Sequence, residues 1–137
     1  MYKLKKRIGS GKHRIVYDIV NGHVLKVSRS KRGRRSNKKE VSIYYSSPRS
    51  VRKHLGRIKK FHRKYSWIKM VKYWRRFPRS KKYRRKLKKM IAYFRKRGIM
   101  PDDVLTRKGK PKRCNLRLKR KGKIVFIDYA NFRFKRK

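Results

Sequence analysis

At 137 residues the chain has room for one domain or a small two-lobed unit, and not for a third independent one. Its 51 Lys and Arg against five Asp and Glu give a formal net charge of +46, and self-repulsion at that level destabilises a compact state unless salt or a polyanion screens it. The 36% hydrophobic share includes nine Tyr, six Phe and two Trp, enough aromatic area to exclude a bare basic tail.

The single Cys114 excludes an internal disulfide and gives no sign of an oxidising compartment. His13, His23, His54 and His62 make no zinc-ligand spacing with it and read as surface or phosphate-contacting groups. The longest clean apolar run, Ile124 to Ile127, has four residues, so neither a membrane span nor a signal peptide is read. The expectation is a soluble intracellular protein associated with nucleic acid, in a virion or in host cytoplasm. Lys and Arg that neutralise phosphates release condensed counterions, so binding to DNA or RNA would be strong, salt-sensitive and little dependent on sequence. Acidic lipid ranks lower, because no basic stretch is clearly paired with an exposed apolar helix face.

In chain order, Tyr2 to Ile8, Ile15 to Val20 and His23 to Ser28 read as strands. Asn21-Gly22 joins the last two in a tight antiparallel pair, because both residues tolerate the positive φ of a type I′ turn. Ser30 to Ser36 reads as a basic, Gly-containing loop. Ser36 or Asn37 then caps a short helix carrying Glu40, Val41, Tyr44 and Tyr45, which Ser46-Ser47-Pro48 ends. Residues 51–62 fit a helix or the start of a strand, and Tyr65 to Tyr73 a strand.

Ser80 to Gly98 is the clearest helix, with Tyr83, Leu87, Met90, Ile91 and Phe94 on one face, ten Lys or Arg around the rest, and Gly98 at C′. A loop from Pro101 to Arg113 follows, then strands Asn115 to Leu118 and Ile124 to Tyr129 meeting at Gly122, and a basic tail. No acidic residue alternates with the helix cations, so Arg75, Arg76, Arg79, Lys81, Lys82, Arg84, Arg85, Lys88, Lys89, Arg95 and Lys96 read as phosphate contacts. Tyr65, Trp67 and Tyr73 read as core, whereas Trp74 and Phe77, flanked by arginines, are candidates for stacking on bases.

Four of the five carboxylates, Glu40, the adjacent Asp102 and Asp103, and Asp128, fall into a pattern with a Gly-rich turn. Gly9-Ser10-Gly11-Lys12-His13-Arg14-Ile15-Val16 resembles the protein-kinase loop G-x-G-x-x-G-x-V, with Arg14 in place of the third glycine, and Val24-Leu25-Lys26 resembles the V-A-I-K strand. Glu40, the only glutamate, follows Lys26 by fourteen residues. Trp67 to Lys72 resembles the strand entering the hinge, with Met70 as gatekeeper. Asp103, Asn115 and Asp128-Tyr129-Ala130 take the places of the catalytic aspartate, the metal-binding asparagine and D-F-G. The order of motifs resembles a minimal protein-kinase-like fold, as in small truncated kinase-like proteins of bacteria and bacteriophages. H-R before the aspartate is absent, and twelve residues from Asp103 to Asn115 exceed the H-R-D-x-x-x-x-N spacing.

The resemblance implies an α+β fold, with an N-lobe-like part at 1–73 and a truncated C-lobe-like part with a basic tail at 74–137, in one compact unit. It implies ATP and Mg²⁺ as cofactors: Gly9, Ser10, Gly11, Lys26, Met70 and Val71 for the nucleotide, Asn115 and Asp128 for the metal, and Asp103, Lys26 and Glu40 for catalysis of phosphate transfer. Backbone groups of Val71 to Tyr73 would meet the adenine. A silent scaffold that binds or compacts DNA or RNA, and a ribosome-associated protein, are the alternatives. Glu40 and Asp128 then form structural ion pairs. Asp102 reads as a cap or turn residue and Asp18 as a cross-strand partner. A protein substrate or host target is left unassigned.

Overall fold

A computed structural model describes residues 4–10 and 12–135. β1 (Leu4–Ser10), β2 (Arg14–Ile19) and β3 (His23–Ser28) form a meander, followed by α1 (Lys31–Ser46), α2 (Arg49–Arg52), β4 (Ile58–Phe61) and β5 (Trp67–Val71). These five strands make one antiparallel sheet in the order β1-β2-β3-β5-β4. Asn21 and Gly22 have φ of 66° and 72°, so the expected type I′ turn sets the β2–β3 register, with Asp18 opposite Val24 and Val16 opposite Lys26.

β6 (Arg75–Arg76), α3 (Lys81–Lys96) and β7 (Ile99–Met100) come next, then β8 (Leu116–Leu118), β9 (Ile124–Phe126) and β10 (Arg133–Phe134). β6-β8-β9 form a small antiparallel sheet, and β7 pairs with β10. The β8–β9 connection places Lys121 and Gly122 at φ of 63° and 70°, a second turn in the left-handed region.

Several elements differ from their sequence reading. Helix α1 begins at Lys31, not after Ser36, because Ser30 caps it by accepting from the Gly33 N–H at 3.1 Å. Gly33 marked the segment as loop, yet here its missing side chain admits another backbone: a Cβ would lie 2.2 Å from the His13 carbonyl. Asn37 is fully buried inside the helix and caps nothing. Arg52 closes the other end of α1, donating from Nε to the Tyr44 carbonyl at 2.8 Å and from Nη2 to Tyr45 and Ser47. Tyr65 lies outside β5 at φ 62°, and β9 stops at Phe126.

One apolar core runs through both sheets, from Val41, Ile68 and Met70 to Leu87, Phe94, Phe126 and Phe132. Its α3 contribution is the face expected from spacing, with Leu87, Ile91 and Phe94 buried. Phe77, a candidate for base stacking, is buried at 1% exposure against Tyr83 and cannot meet a ligand. Trp74 is 70% exposed, with the Lys72 ammonium 3.8 Å from its ring centre. The two halves are joined by backbone: Gly56 N–H donates to the Phe126 carbonyl at 2.7 Å and Phe126 N–H to that of His54 at 2.8 Å. The Tyr129 hydroxyl adds a bond to the Gly56 carbonyl at 2.9 Å. No helix among the described residues is long and apolar enough to cross a membrane.

Candidate nucleotide site

β3 points Lys26 at α1, where its Nζ donates to Glu40 Oε1 at 2.7 Å and to the Ile127 carbonyl at 2.8 Å. Glu40 has no exposed surface and Lys26 only 5%. A charge so placed persists only if it is paired and fully hydrogen-bonded. The second Glu40 oxygen, Oε2, accepts the Tyr129 N–H at 2.8 Å, so this carboxylate joins the sheet, α1 and the segment after β9.

Arg14 completes the cluster. Its Nη1 donates to Asn37 Oδ1 and Glu40 Oε1, each at 3.1 Å, and its Nη2 to Asp128 Oδ1 at 3.0 Å. Burial opposes its charge, but Glu40 and Asp128 more than offset this and hold its pKa above the ordinary value. Burial likewise pushes the Asp128 carboxyl up. Lys26 and Arg14 pull it down further, with help from the Ala130 N–H, and it titrates below the usual carboxylate range. The sequence marked Arg14 only as a substituted glycine; its length and fork, able to reach two carboxylates, were the available signal.

Asp103 and Asn115 stand side by side despite the twelve residues between them. The intervening chain folds into its own excursion, closed by Thr106 N–H to the Lys110 carbonyl at 2.7 Å and Lys112 N–H to that of Val104 at 2.8 Å. Asn115 Nδ2 therefore reaches the Asp103 carbonyl at 2.8 Å and its Oδ2 at 3.4 Å. Asn131 Nδ2 donates to the same Oδ2 at 3.1 Å, and the Lys112 ammonium bonds Oδ1. That bond to Asp103, against a small burial effect, raises the Lys112 pKa. Sequence reasoning missed both, since the excursion brings Lys112 to Asp103 and the segment after β9 brings Asn131 there.

A cavity of about 340 Å³ lies between the sheets, bounded by Val16, Val24, Met70 and Val71, with Lys26 and Asp128 at one end. A second hollow of about 470 Å³, lined by Lys12, His13, Arg14, Arg32 and Asn131, shares Val16, Lys26 and Asp128 with it. Together they form an apolar slot with a cationic mouth. The expected hinge contacts are narrower than read, because Val71 N–H bonds the Arg57 carbonyl at 2.9 Å and Lys72 N–H that of Gly22 at 2.8 Å. Gly9 and Ser10 pair with Val16 and Ile15 on β2. Gly11 lies outside the described residues.

The donor set fits Mg²⁺ poorly, because a guanidinium already holds the carboxylate that the resemblance assigns to the metal. Asp128 Oδ1 is engaged by Arg14 at 3.0 Å, and Asn115 donates Nδ2 to Asp103 while its Oδ1 accepts the Cys114 thiol at 3.6 Å.

The remaining carboxylates are structural. Asp18 accepts from Lys72 Nζ at 3.0 Å, and Asp102 pairs with Arg133 across β7 and β10. Arg75, Arg76, Arg79, Lys81, Lys82, Arg84, Arg85, Lys88, Lys89, Arg95 and Lys96 are all exposed, the last eight on α3.

No protein-family model matches the chain, and no curated protein matches it. Among solved structures it is similar to WbdD, seen in a co-crystal structure with the kinase inhibitor LY294002, at 14% identity and a TM-score of 0.65. The match covers 92% of this chain and 32% of that one, so the chain spans about a third of that protein's length. The likeness concerns the fold, which is kinase-like and α+β.

Proposed function

We propose that this protein binds a nucleotide in the groove between its sheets and is held on nucleic acid by its basic surface. The observation that carries the reading is the buried Lys26–Glu40 pair at the end of an apolar slot with a cationic mouth. Maintaining two charges in the interior is expensive without a further use for them. Lys26, Lys12 and Arg32 would meet the phosphates, and the valines the base. The exposed cations of α3, with Arg75, Arg76 and Trp74, supply a phosphate-contacting surface and one exposed ring for stacking. On this reading the protein works where nucleic acid is concentrated, inside a cell or packaged in a virion.

A phosphotransferase reading is favoured by one feature, the return of Lys112 and Asn115 to Asp103. Asp103 Oδ2 is oriented by two amides and on this reading would accept the proton of an acceptor hydroxyl as the hydroxyl oxygen bonds the γ-phosphorus and the nucleoside diphosphate leaves. Lys112 would offset the charge at that point. ATP would supply the phosphoryl group.

The test is saturable ATP binding, with and without nucleic acid, in the intact protein and in Val16→Trp, which fills the slot. Binding that disappears in Val16→Trp supports the site; equal binding in both places ATP on the general cationic surface. Labelled γ-phosphate transfer that is lost in Asp103→Asn would add the enzyme reading. Transfer unchanged in that variant removes Asp103 from it.

A further inference from the structure

We propose that Arg14 is a built-in cation of the nucleotide groove, so that the protein binds the nucleotide's phosphates without a divalent metal. This rests on the nucleotide-binding reading above. Arg14 opens β2 at the position where the Gly-rich pattern has its third glycine, and its guanidinium lies between Glu40 and Asp128. It is not a surface arginine that happens to touch acids. Only 13% of its side chain is exposed, and its third partner, Asn37, is fully buried and held by donating Nδ2 to the Tyr65 carbonyl at 2.9 Å. That bond fixes the amide with its oxygen toward Arg14, so the arginine sits in a prepared site.

Charge balance points the same way. Lys26 and Arg14 carry two positive charges, and Glu40 and Asp128 two negative ones, so the cluster is neutral before any ion arrives. A divalent cation approaching Asp128 would meet a guanidinium already 3.0 Å from Oδ1, inside a chain of net charge +46. Asn115, the other expected ligand, holds Asp103 through Nδ2 and accepts the Cys114 thiol at Oδ1. What a metal would contribute is positive charge between Asp128 and the phosphates. Arg14 stands there already, since it also lines the cationic mouth beside Lys26 and Asp128. A guanidinium has five N–H donors in a planar fork suited to phosphate oxygens, and the bonds to Asn37, Glu40 and Asp128 take three.

The test is calorimetric titration of the full chain with ATP in excess EDTA and again in Mg²⁺, at a salt concentration high enough to suppress surface binding. Only the component that Val16→Trp removes is counted. The intact protein is expected to bind with affinities that agree within about threefold in the two conditions, a coupling factor near one. In Arg14→Gly, metal-free affinity is expected to fall by about tenfold or more, equivalent to about 1.4 kcal/mol, and Mg²⁺ to restore part of it. Arg14→Lys, which keeps one charge but loses the fork, should fall between them and provides a folded comparison if the glycine variant unfolds.

Mg²⁺ tightening the wild-type complex by about tenfold or more would overturn the inference and leave the nucleotide site standing. Unchanged or tighter metal-free binding in Arg14→Gly would also overturn it, because Arg14 would then obstruct the groove. The absence of any component sensitive to Val16→Trp would overturn the nucleotide reading, and this inference with it.

Discussion

Replacing Glu40 by Gln removes one negative charge with almost no change in shape, and its consequence can be worked from the contacts. Glu40 is fully buried and receives Lys26 at 2.7 Å, Arg14 at 3.1 Å and the Tyr129 N–H at 2.8 Å. With an effective dielectric near 20, charges about 4 Å apart attract by about 4 kcal/mol, and Glu40 has two such partners. Desolvation costs several kcal/mol per ion and offsets much of that gain. Removing one partner leaves the other charges buried without restoring their water, which costs about 3–5 kcal/mol.

For a chain of this length that loss corresponds to a fall in Tm of roughly 10–20 °C. Urea unfolding followed by circular dichroism, in a fixed high-salt buffer, measures it. Lys26→Met combined with Glu40→Gln should cost less than the two single changes added together, because the second removes a charge the first has already stranded. A loss below about 1 kcal/mol in Glu40→Gln, within the range for exposed pairs, would show that water reaches the cluster and that the buried-pair argument is wrong.

Gly33→Ala should destabilise the protein by about 1–3 kcal/mol through overpacking, although alanine is the better helix former, because its Cβ would lie 2.2 Å from the His13 carbonyl; an increase in the urea midpoint would refute that close approach. His54 is partly buried, and burial, with Lys53, Lys119 and Lys123 nearby, outweighs the Ile124 carbonyl and lowers its pKa from 6.5. In the window below 6.5 the unfolded chain thus binds more protons, so His54 makes stability rise with pH there and fall on acidification. His54→Gln should flatten this slope in midpoints measured across that window, and an unchanged slope would remove His54 as its source. For nucleic acid, log affinity should fall with log salt at about −0.9 per phosphate neutralised, and replacing Arg85, Lys88 and Lys89 together by Gln should reduce the slope by about two to three. A wild-type slope equivalent to only one or two phosphates, read by fluorescence anisotropy, would refute the basic surface as a docking face.

Local chemistry by itself determined a good part of this protein. The Asn21-Gly22 turn aligns Lys26 opposite Val16, and the spacing of Leu87, Ile91 and Phe94 sets the buried face of α3 and leaves its cations outside. Both signals are complete within a few residues, because turn geometry and helical period act between near neighbours. The Lys26–Glu40 pair was legible through resemblance alone. Only the tertiary structure decided the rest. The early start of α1 depends on Gly33 meeting a backbone carbonyl from another element, and the burial of Phe77 on Tyr83 packing over an otherwise arginine-rich stretch. Asp103 meets Lys112 and Asn115 only because the chain between them folds out. Arg14 reads locally as one cation among 51, and what distinguishes it is a carboxylate 114 positions away. A charge acquires its role from the partners and the burial that the fold assigns to it, and neither is written in its neighbours along the chain.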